Sequence, residues 1–177
     1  TITEDMDLSY RAQLKGWKFV YLNDVTSPAE LPADINSLKA QQFRWTKGSI
    51  ETGKKILPRV MKAKLPFKIK MESIYHLGGN IVYPFILVVA ALNVPIILLK
   101  EHYPGLETYY NIMAIFVVAT ISTFLFMMYA QKTIDLNWRK KILLFPVFLA
   151  GSMGLSISNT KAVLEALVNK KTGFVRT

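Results

Sequence analysis

Two short clusters in the first quarter of the chain hold side chains of types that do chemistry. The first is Thr3-Glu4-Asp5, a hydroxyl and two carboxylates at what reads as a helix start. Acids placed there complement the helix dipole, worth about 0.3–1 kcal/mol, and that is their ordinary role when such a cluster stands alone. The second is Gln41-Gln42-Phe43-Arg44-Trp45. On a helix, Gln41, Arg44 and Trp45 project together, away from Phe43. A guanidinium fork suits the oxygens of a pyrophosphate, and a flat indole suits the C–H face of a sugar ring. The same face also suits a helix lying on a membrane, with the tryptophan as anchor and the arginine snorkelling to water. The helix by itself leaves both readings open.

The elements that must carry these clusters can be read from patterning. Thr3 is a plausible N-cap, with Glu4 and Asp5 in the first turn of a helix that runs through residues 6–15 and stops at Gly16. Residues 17–22 (WKFVYL) are aromatic and β-branched and predict a short strand. Two prolines keep 26–32 extended. A second helix starts near Asp34 or Asn36 and continues to about Gly53. Residues 54–70 then hold Lys54, Lys55, Arg59, Lys62, Lys64, Lys68 and Lys70 with no acid, interleaved with apolar side chains and broken by Pro58 and Pro66. This pattern predicts a segment lying on an anionic leaflet, at about 1 kcal/mol per basic side chain; an ordinary solvated linker is the plainer alternative.

Residues 77–99 and 109–130 are uncharged and densely apolar. Each is long enough to cross a bilayer, and Tyr109, Tyr110 and Tyr129 fall at the ends of the second, as an aromatic belt requires. Residues 142–159 are also uncharged, but shorter and richer in Gly, Ser and Pro. They suit either a third span or an interfacial or re-entrant helix continuing to 169. The basic excess lies in 1–75, 131–141 and 160–177, whereas 100–108 is net acidic. With basic loops cytoplasmic, two spans plus an interfacial helix satisfy the charges best.

The chain is 177 residues, with 51% hydrophobic side chains and a net charge of +10. A span following the basic stretch assigns that charge to a membrane surface and not to nucleic acid. The absence of cysteine excludes disulfides and thiolate metal sites. His76 and His102 are too few and too far apart for a metal cluster. No signal-like segment opens the chain, and we expect it to be part of a longer protein.

In order and spacing, Thr3-Glu4-Asp5, then Gln41-x-x-Arg44-Trp45, then membrane spans resemble the family 2 processive glycosyltransferases, the group of the cellulose synthases and the cellulose-synthase-like mannan and glucomannan synthases. The resemblance continues through residues 158–165 (SNTKAVLE), which look like that family's interfacial helix. It reaches residues 174–177, where Phe174 and Thr177 match the gating-loop pattern F-x-V-T-x-K and Arg176 stands where valine is usual.

The resemblance implies a mostly α-helical membrane protein: the end of a GT-A type catalytic domain (1–33), an interfacial helix with its basic segment (34–75), two transmembrane helices with a third candidate, an interfacial helix (142–169) and the start of a gating loop (170–177). It further implies inverting transfer from a nucleotide sugar, UDP-glucose or GDP-mannose, to a growing β-linked polysaccharide passed across a cell inner (plasma) membrane. Asp5, beside Glu4, would be the general base. Gln41, Arg44, Phe174 and Thr177 would hold the donor diphosphate, and Trp45 the acceptor sugar. Mg²⁺ or Mn²⁺ would be bound by an N-terminal part that this chain lacks, so the piece alone is expected to be inactive. Two alternatives remain: a non-processive ceramide or diacylglycerol glycosyltransferase, and a membrane scaffold without enzymatic activity.

Overall fold

The structure, a computed structural model, describes residues 2–22, 24–99, 102–103, 105–115 and 117–171. The described residues form helices and no strands. Two compact units divide the chain: residues up to Leu87 together with those from Leu155 onward, and Val88–Gly154.

In the first unit, α1 (Glu4–Leu14) follows Thr3, and Gly16 takes φ +91° just past its end. Glycine alone adopts that left-handed turn without a steric penalty. Residues 17–22, expected as a strand, are not one. Trp17, Phe19, Val20 and Tyr21 stand exposed along irregular backbone. Their composition suits a pleated surface, but a strand exists only where a second strand accepts its ladder of hydrogen bonds, and none lies among the described residues.

Helix α2 (Ile35–Lys62) opens at Asp34, whose carboxylate accepts from the backbone N–H of Asn36 and Ser37. It does not stop at Gly53. It continues for two more turns with Pro58 inside. Gly53 is buried for a packing reason: a Cβ there would come within 3.3 Å of the Leu77 carbonyl oxygen. Helix α3 (Phe67–Gly78) packs beside it, and Ser49 Oγ donates to that same carbonyl at 3.1 Å. Ile56, Val60 and Leu77 make the buried apolar cluster, with Met6, Tyr10 and Leu14 of α1 against it. The third partner of α2 is α9 (Ser156–Leu167), through Ile50, Val163 and Ala166.

The basic stretch 54–70 is therefore divided between α2 and α3, and part of its charge faces inward. Lys55 pairs with Asp7 at 2.6 Å. Lys54 donates to the Ala166 and Leu167 carbonyls at 3.0 and 2.9 Å and to Asn169 Oδ1 at 2.7 Å. Lys70 donates to the Met61 carbonyl. Arg59, Lys62 and Lys64 are exposed.

Among the described residues, two helices are long and apolar enough to cross a membrane. The first, Phe67–Leu99, comprises α3, a 3₁₀ turn (Gly79–Ile81) and α4 (Val82–Leu99). The second, Glu107–Ile134, takes in all but the first residue of α5 (Leu106–Ala114) and the whole of α6 (Val117–Ile134). None of the most apolar stretch of either is buried, whereas the core helix of a soluble domain hides its apolar side. In the second unit, α7 (Trp138–Ile142) leads to α8 (Phe145–Gly154). Phe145 packs edge-on against Phe124, with ring centroids 5.2 Å apart. The uncharged stretch 142–159 is thus broken between α8 and α9. At ten residues, α8 is about 15 Å long, half the hydrocarbon thickness.

Two buried carboxylates tie the outer helices of the first unit to α2. The hydrogen bond from Lys55 holds the Asp7 carboxyl below its ordinary value; burial opposes this and the Arg11 charge adds to it. Burial alone would raise Glu165, but hydrogen bonds from Lys170 and Lys47 outweigh it and its carboxyl also lies low. The folded chain therefore keeps both ionised at a pH where the unfolded chain begins to take up protons. The stability they lend is complete above the ordinary carboxylate range and is lost as pH falls through the lowered folded values. Hydrogen exchange across an acid titration should find α1 and α9 losing protection together, ahead of the middle of α2.

Candidate active site

Gln41, Arg44 and Trp45 all lie on α2. Gln41 and Arg44 are half-buried, and Trp45 is 53% exposed. Successive helical residues are rotated by about 100°, so Gly48, Thr52 and Lys55 continue the same face toward the C-terminus. That is the face on which α1 docks. Thr3 Oγ1 lies 3.2 Å from Thr52 Oγ1, and a Cβ on Gly48 would be 2.5 Å from Thr3 Cγ2. One turn later, Asp7 meets Lys55. Helix α1 therefore runs alongside α2 in the same direction, with its N-terminal tip toward Arg44 and Trp45.

The arrangement seats Thr3 of the first sequence cluster on the helix that carries the second, about 40 residues later in the chain. Gly48 is one turn beyond Arg44, about 6 Å along the axis, and it carries the tip of α1. Glu4 and Asp5, the first two residues of α1, are both exposed there. Asp5 Oδ1 accepts from the backbone N–H of Met6 at 2.7 Å, which leaves Oδ2 on the solvent side. Thr3 flanks the helix start but is no side-chain cap; its hydroxyl is at Thr52 instead. Phe174 and Thr177 lie outside the described residues.

Between them the two clusters offer two exposed carboxylates, an amide, a guanidinium and a half-exposed indole. Carboxylates accept protons, a guanidinium neutralises anionic oxygens, and an indole face supports an apolar ring surface. The residues do not fit a divalent cation. Asp5-Met6-Asp7 has the letters of a D-x-D motif, yet Asp7 is buried and bound to Lys55 and Arg11. Among the described residues no three His, Asp or Glu side chains converge.

Sequence reasoning missed the residues that hold the site. Asp7 was legible only as a helix acid, and Thr46, Lys47, Ser49 and Thr52 only as polar helix positions, although all five are buried. The available signal was the run 46–53 (TKGSIETG), poor in large side chains, which is the composition that allows helices to approach closely.

A cleft of about 590 Å³ opens behind α1, lined by Tyr10, Gln13, Trp17, Glu72, Ser73 and His76 among others. Tyr10 Oη and His76 Nδ1 are 2.9 Å apart across it. It borders the C-terminal half of α1, away from the tip that bears Glu4 and Asp5.

Compared with known proteins, the chain matches the family described as "Glycosyl transferase family group 2" over residues 1–150. It is 45% identical over 76 residues to "Probable glucomannan 4-beta-mannosyltransferase 3" of Oryza sativa subsp. japonica, a match covering 42% of this chain and 14% of the relative. It is 47% identical over 64 residues to "Glucomannan 4-beta-mannosyltransferase 1" of the same organism, covering 36% and 12%. The matched region is thus a small part of either relative. No solved structure matches.

The close approach of Thr3 to Gly48 should be intolerant of added volume. Gly48→Ala should lower stability by about 1–3 kcal/mol as α1 is pushed from α2. A fall in melting temperature with faster amide exchange confined to the start of α1 would be the signature; unchanged exchange there would show that Thr3 yields without consequence.

Proposed function

The chain belongs to glycosyl transferase family group 2, and from that premise we propose that it is part of a membrane-embedded enzyme that lengthens a polysaccharide from a nucleotide-sugar donor. The observation that supports this reading is the docking of Thr3, at the α1 tip beside Glu4 and Asp5, on Gly48 and Thr52 of the α2 face that also carries Gln41, Arg44 and Trp45. The reading takes an exposed carboxylate of that tip as proton acceptor and Arg44 as the anion-neutralising fork, the pairing an inverting displacement needs.

In the proposed reaction, the Asp5 carboxylate takes the proton of an acceptor hydroxyl. The hydroxyl oxygen forms a bond to the anomeric carbon of the donor as the bond from that carbon to the diphosphate oxygen breaks. The electron pair leaves with the diphosphate, whose growing charge Arg44 and Gln41 stabilise. Attack opposite the leaving group inverts the anomeric centre and gives a β-linkage from an α-linked donor. Trp45 supports the acceptor ring. Glu4 stands next to Asp5 and is also exposed. No step is assigned to a metal ion, because this chain's own residues do not fit one.

The glucomannan and mannosyl in the names of the two rice relatives favour GDP-mannose over UDP-glucose and a polysaccharide over a lipid acceptor. The two unburied apolar helices favour a multi-pass protein of the cell inner (plasma) membrane, with the polymer passing across. Phe174 and Thr177 are proposed to complete the donor site. Arg59, Lys62, Lys64 and Lys68, exposed at the end of α2 and the start of α3, are basic side chains placed to face anionic lipid.

The test uses membranes holding the full-length parent protein with labelled GDP-mannose or UDP-glucose. Label should enter a large polymer that glycanases digest. Asp5→Asn should reduce incorporation by about 100-fold or more, as expected for loss of a general base, and Trp45→Ala should reduce chain extension more than donor turnover. Full activity in Asp5→Asn would sink the assigned base, and label only in lipid would replace the polymerase with a lipid transferase.

A further inference from the structure

Lys47 lies three residues past Arg44 and two past Trp45, and none of its surface is exposed. Its ammonium donates to Glu165 Oε2 at 3.2 Å and to the Lys170 carbonyl at 2.6 Å. Glu165, 7% exposed, also takes a hydrogen bond from Lys170 at 3.2 Å. Two turns along the same face of α2, Lys54 gathers the Ala166 and Leu167 carbonyls and the Asn169 side chain, where Asn169 takes φ 58° and ends the helix. Ile50 lies between the two lysines and packs on Val163 and Ala166.

Stability alone is a poor reason for this arrangement. Withdrawing an ammonium and a carboxylate from water costs several kcal/mol each, and well-packed apolar side chains in their place are often as stable or more so. What an ion pair supplies that leucine does not is register. Sliding α9 along α2 by one turn would leave a buried charge without its partner, whereas an apolar contact tolerates the slip. By helical rotation Lys47 lies on the flank of α2, about 60° round from Arg44 and about 100–140° from Gln41, Gly48 and Thr52.

We propose that Lys47 and Glu165 are a positioning pair for glycosyl transfer: the buried ion pair fixes α9 on the back of α2 and so holds Arg44 and Trp45 in register with the α1 tip. The inference rests on the transfer reaction proposed above for the neighbouring face. Neither residue touches substrate. Their effect passes through the single turn of α2 that carries Arg44, Trp45 and Lys47, which α1 and α9 grip just beyond the site from its two sides.

The experiment compares Lys47→Met, Glu165→Gln and the double variant in the full-length parent enzyme in membranes, scoring kcat per inserted molecule and the KM for GDP-mannose. Each single variant should lower kcat by about 10- to 100-fold, the range expected when reacting groups are misplaced by about 1 Å, with a smaller change in KM. The double variant should be no slower than the slower single, because both remove one interaction. Glu165→Gln keeps the shape and a carbonyl acceptor, so it reports even if Lys47→Met fails to insert. A disulfide between Ile50→Cys and Val163→Cys, introduced into Glu165→Gln, should recover turnover by restoring the register covalently. Unchanged kcat, losses that multiply in the double variant, or a loss confined to the amount of inserted protein would each overturn the pairing. An unsubstituted parent that transfers no sugar would instead overturn the reaction on which the pairing rests, so the two failures are distinguishable.

Discussion

Close approach along residues 46–53 of α2 is the constraint on which the first unit depends. Gly48, Ser49, Thr52 and Gly53 have too little side chain to keep neighbours away, and all are buried. Gly48 admits Thr3, Gly53 and Ser49 admit the turn at Leu77, and the Lys47–Ile50–Lys54 side admits α9. Three helices therefore converge on about two turns of a fourth. Bulk at either glycine would separate a pair of backbones that are now in van der Waals contact, and small-residue stripes elsewhere let helices pack in the same way.

Such close packing leaves little apolar volume to bury. The buried apolar residues of the first unit are few: Ile50, Ile56, Val60, Leu77, Ala162, Val163 and Ala166. Apolar contact is not directional, so a core this small does not by itself choose one rotation or register for the helices around it. Ion pairs with buried carboxylates do. Asp7 meets Lys55 on one side of α2, and Glu165 meets Lys47 on the other. Each has a second cation beside it, Arg11 and Lys170, which keeps the carboxylate charged in spite of burial.

The same geometry joins architecture to chemistry. The face of α2 that seats α1 is a continuation of the face that bears Gln41, Arg44 and Trp45, so docking the helix also sets where Glu4 and Asp5 stand. The order of the two clusters along the chain gives no hint of how they meet: α1 and α2 run in the same direction, and the extended segment between them must return the full length of α1. The second unit, with its unburied apolar helix α6 and the aromatic packing of Phe124 and Phe145, obeys a different solvent.

The sequence alone determined what depends on local chemistry. Helix starts at Asp34 and the stop at Gly16 were legible because caps and left-handed turns are made by the residues themselves. Two membrane-length helices were legible because hydropathy and length are additive along a segment, and the family was legible in two motifs and their spacing. Tertiary structure decided the rest. Gly53 read as a terminator and is a packing site, because its role depends on Leu77. Residues 17–22 read as a strand and are not one, because pairing belongs to two segments and no second strand lies among the described residues. The basic run 54–70 read as a single lipid-facing surface, yet Lys54 and Lys55 turn inward to α9 and α1, because an ammonium goes to whichever acceptor folding brings within reach. Asp7 and Lys47 are buried for the same reason: a charge's partner, and hence its role, is settled by what is near in space, and no local pattern records that.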